Sequence, residues 1–242
     1  LSGGTVSDCH ATGPVECSGE AYALGGLIGR ASGTPTITNS SASGNVTVGS
    51  GTHIGGLIGN GDGGSLTRCS ATGSVSQTGS NGWYYGGLVG VSRLTIQECY
   101  ASGPVTGGYF VGGLVGNIAS GMVLNCYATG PVTATESPYL VGGLAGGLGA
   151  SSAFGANYAT GPVSAPGSSE GALVGGLVGY LDYPRLGAPH EGFWDTETTG
   201  QSASATGTGK TTAELQTLAT FAGWNIATPA DHTDETWYIV EG

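Results

Sequence analysis

The side chains in this 242-residue chain best able to do chemistry are its five cysteines, four histidines, sixteen carboxylates and a lysine that follows glycine. Cys9, Cys69, Cys99 and Cys126 share one repeat position, and Cys17 stands outside it. Zinc needs four ligands converging tetrahedrally. Cysteines recurring once per repeat line up along an axis instead of converging, and serve as small inward-facing groups. For Cys9 with Cys17 across the corner, an oxidising exterior would permit a disulfide. His10, His53, His190 and His232 are scattered without HExxH spacing and read as surface residues. Asp195 with Glu197, or Asp231 with Asp234 and Glu235, can be cast as the paired carboxylates of a glycosidase. They can equally be a weak calcium site or solvated charges.

"GTGKTT" (207–212) ends like a phosphate-binding loop, but the full pattern needs glycine where Ser204 stands and a buried parallel strand before it. A loop leading into a capped helix accounts for it. No catalytic, cofactor-binding or metal residue is assigned, calcium being the one weak exception. The usable surface feature is aromatic. Trp83, Tyr84, Tyr85, Tyr109, Phe110 and Tyr139 lie in insertions, where exposed rings can stack on sugars or anchor a protein partner.

The elements that must position these residues are unusual. Glycine fills 50 positions and only 9% of residues are charged, which disfavours helical or doubly wound domains. A net charge of −11 argues against nucleic acid, since phosphate neutralisation needs clustered Lys and Arg. No run of eighteen apolar residues occurs, so no membrane-inserting helix is expected. A start at Leu1 without the basic-then-apolar order of a leader fits a processed or excised chain.

Gly-Gly-Leu begins at Gly25, Gly55, Gly86, Gly112, Gly142 and Gly175, at intervals of 30, 31, 26, 30 and 33 residues. Such a period indicates stacked units. A second block keeps the rhythm: "CHATGPV", "SSASGNV", "CSATGSV", "CYASGPV", "CYATGPV" and "NYATGPV". Short apolar runs broken by turn residues predict three brief strands per unit: Leu-Val after the double glycine, the Cys-Tyr-Ala block, and the valine after Thr-Gly-Pro. One unit cannot bury its apolar residues, whereas stacking places like residues about 4.8 Å apart and pairs their backbones. The expected fold is an all-β parallel β-solenoid of six coils, about 30 Å long. Leu27, Leu57, Leu88, Leu114, Leu144 and Leu177 form one inward column. Val15, Val46, Val75, Val105, Val132 and Val163 form another, and the alanines from Ala11 to Ala159 a third. Insertions such as 76–85 should loop outward from corners.

"GGLVG" followed by "NCYATGPV" resembles the GLUG repeat of large bacterial surface and secreted proteins, over residues 1 to about 180. The resemblance, to adhesin-like chains and to some peptidases that carry the repeats as accessory regions, implies a secreted or cell-surface location and the repeat architecture much better than an activity; the chain itself is expected not to be an enzyme. Ser40 and Asn157 stand where the repeat usually has Cys, and Asn45 and Ser74 where it has Pro, so looser corners are expected there. The division is then 1–180, repeats, and 181–242, a C-terminal capping or assembly segment. Within the latter, Thr211–Glu214 forms a capping box that starts a short helix of about ten residues. Trp194, Phe221, Trp224 and Trp237 supply bulk to cover the last coil. The first coil begins bare, so upstream repeats of a longer chain or end-to-end self-association into a filament should cover it. The expected function is a structural or adhesive module, with glycan or cell-surface protein binding, and a polysaccharide-acting enzyme, as alternatives.

Overall fold

The computed structural model describes residues 1–135, 140–166, 173–182, 192–227 and 237–238. Tyr139, His190, His232, Asp231, Asp234 and Glu235 lie outside them. The chain is a parallel β-solenoid of six coils. In the first coil, Thr5–Ser7 belongs to a first sheet, His10–Ala11 to a second, Val15–Gly25 to a third and Ile28–Ala31 to a fourth. Each later coil repeats this path, giving parallel sheets of six, eight, ten and six strands among the described residues. The expected three strands per unit therefore become four or five. The additional strands were too short to show periodicity: Thr36–Thr38 is one, and the double-glycine approach Trp83–Gly86 is another.

Register holds the fold together. Valines 46, 75, 105 and 132 pair in sequence, as do alanines 42, 71, 101 and 128. Along the leucine column each N–H donates to the carbonyl of the next leucine at 2.8–3.0 Å, from Leu27 to Leu177. Leu57, Leu88, Leu114, Leu144 and Leu177 are fully buried. Main-chain pairing and apolar burial thus run along the same axis.

The core divides into two lobes. The larger holds the leucines, alanines and cysteines with Ile37, Leu66, Ile96 and Val123; the smaller holds the valine column with Ile54, Tyr85, Val111 and Val141. Between them the second glycine of each pair presses on the alanine column. A Cβ on Gly87 would lie 2.9 Å from that of Ala101 and 2.1 Å from the Gly113 carbonyl oxygen. Glycine opposite alanine is what lets the coil close at its waist.

The described residues after the sixth coil pack onto it. Gly192–Asp195 continues the second sheet on Asn157–Ala159, setting Trp194 over Ala159, and Thr208–Lys210 follows. Thr199 and Ala203 accept from the N–H groups of Val163 and Gly176, and Ala205 donates to the Val178 carbonyl, so this end of the third and fourth sheets is paired in part, while Leu173 and Tyr180 stay exposed. The capping box at Thr211 forms, but the α-helix spans only Thr212–Leu215 before a 3-10 turn at Leu218–Phe221. The Thr217 and Thr220 hydroxyls donate to the carbonyls of Ala213 and Glu214, competing for acceptors that a longer helix would use. Ile226–Ala227 pairs in parallel with Trp237–Tyr238.

Candidate binding surface

The third sheet approaches each double glycine along one edge of the rod, and this approach positions the exposed rings. Counting back three residues from Gly25, Gly55, Gly86 and Gly112 gives Tyr22, Thr52, Trp83 and Tyr109; counting back two gives Ala23, His53, Tyr84 and Phe110. Tyr22 and Trp83 each pair in register with Thr52. Ala23, His53 and Tyr84 have φ of 59–61°, a left-handed kink that breaks strict alternation and turns consecutive residues outward. The rings form a continuous cluster: Tyr22–His53 at 4.8 Å, His53–Tyr84 at 5.3 Å, Tyr84–Phe110 at 4.7 Å and Trp83–Tyr109 at 4.5 Å. Trp83 is 38% exposed and Tyr22 63%.

Of the predicted surface residues, Trp83, Tyr84, Tyr109 and Phe110 are brought together here. Tyr85 is not: it is fully buried in the smaller lobe, its hydroxyl 3.4 Å from the Gly51 carbonyl oxygen, because it is the first inward residue before the double glycine. Segment 76–85 is correspondingly part loop and part core strand. Tyr22 and His53 were missed by the sequence reading, although the count back from Gly-Gly marks both.

Burial lowers the pKa of His53 from its usual 6.5; Asp62 opposes this, and Arg93 and Arg30 add to it. Asp62 is clamped between Arg30 at 2.6 Å and Arg93 at 2.8 Å, tying three coils together beside the aromatic edge. On the opposite side of the coil, Tyr100, Tyr127 and Tyr158 stack at 5.0 and 5.1 Å with nearly parallel rings. The column ends under the cap, where Phe193 takes the next rung and packs on Phe221 and Trp224.

The other candidate residues are engaged in holding the fold. The N–H groups of Cys69 and Cys99 donate to the sulfurs of Cys99 and Cys126 on the next coil, at 3.3 and 3.4 Å. Each of these three thiols donates to the carbonyl two residues earlier, at 3.1–3.3 Å. The cysteines are therefore rungs of a polar ladder rather than inert apolar groups. Ser40 and Asn157 fill the same place: Cys9 N–H donates to Ser40 Oγ, and Cys126 N–H to Asn157 Oδ1. Asn45 Oδ1 likewise takes the Ser74 N–H that a proline would lack. Looser corners are thus not found at Ser40, Asn45 and Asn157, whose side chains each supply a substitute bond, and at Ser74 the backbone N–H itself is bonded. Cys9 and Cys17 are both free thiols, bonded to the separate carbonyls of Ser7 and Glu20.

Asp195 is buried, accepting from the Glu197 and Thr198 N–H groups and the Thr212 hydroxyl; Glu197 accepts from the Thr212 N–H. Lys210 bonds Glu214, whose carboxyl the Thr211 N–H and hydroxyl hold below its usual range. Among the described residues no group of three or more His, Cys, Asp or Glu is arranged for a metal, and no helix is long and apolar enough to cross a membrane.

Two stretches, residues 20–47 and 50–76, match the family described as the GLUG motif. Halomucin of Haloquadratum walsbyi (strain DSM 16790 / HBSQ001) is 40% identical over 117 residues, which take in 43% of this chain and 1% of Halomucin. The chain thus spans a very small part of that relative. No solved structure matches.

Proposed function

We propose that this chain, a six-coil rod carrying two matched GLUG motifs, is a non-catalytic structural segment of a secreted or cell-surface polypeptide, holding other parts of that polypeptide at a fixed distance. The observation that carries this reading is the use made of the reactive side chains: the inward thiols, Asp195, Glu197 and Lys210 all join coil to coil or fasten the cap. Similarity to part of Halomucin and the low lysine content support the location. Small-angle scattering should return a rigid rod that does not change with ionic strength, and incubation with polysaccharides should release no reducing ends. Release that disappears in a folded Glu197→Gln variant would overturn the reading.

A second reading, end-to-end stacking, is favoured by the unlike ends of the rod. The cap covers one. At the other, Val6, Ala11, Val15, Leu24, Leu27 and Ile28 are only partly buried, though their counterparts one coil on are almost all fully enclosed. Parallel strands of the same repeat would complete both the backbone pairing and the burial. Sedimentation at increasing concentration should then show a series of head-to-tail oligomers; a single monomeric species throughout counts against self-stacking.

A further inference from the structure

We infer that the aromatic edge contains a saccharide-binding slot between Tyr22 and Trp83. Along that edge Trp83 and Tyr109 are in ring contact, but the register position between Trp83 and Tyr22 is Thr52. Two rungs separate the flanking backbones by about 9.6 Å. Where a third ring would continue the column, Thr52 leaves a cleft of about 440 Å³, lined by Glu20, Tyr22, Ser50, Thr52, Asn81 and Trp83. That volume lies within the roughly 300–1,000 Å³ of small-ligand clefts.

The lining selects the chemistry of the occupant. Two rings separated by two rungs accept a saturated ring presenting C–H groups on both faces, since each face then meets an aromatic at about the 4.5–7 Å typical of ring contacts. The rim carries a carboxylate, two hydroxyls and an amide, which suit a ligand whose edge is made of hydroxyls. A pyranose has this combination of apolar faces and polar edge. Glu20 is the charged group in the lining, and no Lys or Arg stands with it, so the slot fits neutral or amino sugars and disfavours acidic or sulfated ones. Thr52 accounts for the position of the gap. Its hydroxyl lies 3.1 Å from Nδ1 of His53, whose ring supports Tyr22, so the floor and one wall are held together. The slot does not depend on the spacer reading and would add adhesion to it.

The test is titration of the whole chain with chitotriose, cellotriose, mannotriose and galactotriose to about 20 mM, well beyond a millimolar Kd, followed by Trp fluorescence and by amide shifts of 20–22, 50–53 and 81–84. At least one trisaccharide should move these signals saturably. Trp83→Ala should weaken binding at least about tenfold, while Trp83→Phe keeps most of it. Thr52→Tyr, which extends an aromatic column already present, should fold normally and abolish binding. The inference is overturned if none of the four sugars shifts the signals, or if the response survives in Thr52→Tyr. It is equally overturned if sialyllactose or choline, tested as acidic and cationic competitors, binds more tightly than every neutral sugar.

Discussion

At the corner between the first and second sheets, a side chain stands in for a peptide group. The residue before each corner cysteine or its substitute has a left-handed φ, at Asp8, Asn39, Arg68, Glu98, Asn125 and Ala156, and this turns the next N–H away from the ordinary ladder. A sulfur, hydroxyl or amide oxygen from the next coil meets that N–H instead. Cys99 is raised above its usual pKa chiefly by burial, and Cys69 by its bond with Cys99, so both remain protonated donors at neutral pH. Cys99→Ala leaves the buried Cys69 N–H without a partner and should cost about 1–3 kcal/mol in urea unfolding. Cys99→Ser should cost clearly less, because Ser40 already makes both bonds at this position. Equal losses would show that the thiol matters for bulk alone. His53 gives a pH-dependent counterpart. Its folded pKa lies below 6.5, so the unfolded chain takes up the proton first as pH falls. Its contribution to stability is complete above pH 6.5 and is lost below it. Thermal midpoints between about pH 7.5 and 5.5 should fall less in His53→Gln than in the parent chain.

At the scale of the strand and corner, steric room rather than propensity decides which residues are tolerated. The glycine after the Thr or Ser of each corner faces the preceding coil: a Cβ on Gly103 would lie 2.0 Å from the Gly73 carbonyl oxygen, whereas one on Gly13 would meet nothing within 4 Å. Gly103→Ala should therefore destabilise at the upper end of the roughly 1–3 kcal/mol that overpacking costs. Gly13→Ala, the same change at the same repeat position, should stay within about 0.5 kcal/mol. Denaturant midpoints of the two variants check the pair directly. This scale also shows what could be read from the chain. Recurrence marks the leucine, valine and alanine columns, because identical residues at a fixed period must share a face. It does not mark the corner before the cysteines, where six non-glycine residues of five types adopt a conformation usually signalled by glycine. The first sheet escapes notice because Thr36–Thr38 and its equivalents offer one inward residue each, too few for a period. Of the binding surface, aromatic content identifies Trp83 and Tyr109, while inward and outward positions depend on counting from Gly-Gly; hence Tyr85 is misassigned and Tyr22 missed.

For the molecule as a whole, the direction of these glycines provides a probe of the open end. Each of these corner glycines faces the coil before it, so Gly13 points to where a preceding coil would lie. Placing a copy of residues 31–60 ahead of Leu1 continues the register, since Ser2 already bridges Ser32 as Ala31 pairs with Gly61. The longer chain should melt higher than the parent, because Val6, Val15, Leu27 and Ile28 pass from partly to fully buried and the first-coil strands gain partners. Within that longer chain Gly13→Ala should become as damaging as Gly103→Ala, having been silent without the added coil. If the rod stacks end to end, the same substitution in the parent chain should suppress the oligomers seen in sedimentation while leaving the melting of the monomer unchanged. Should the added coil bring no stability and Gly13→Ala remain silent in every setting, the first coil is a finished surface and the stacking reading fails.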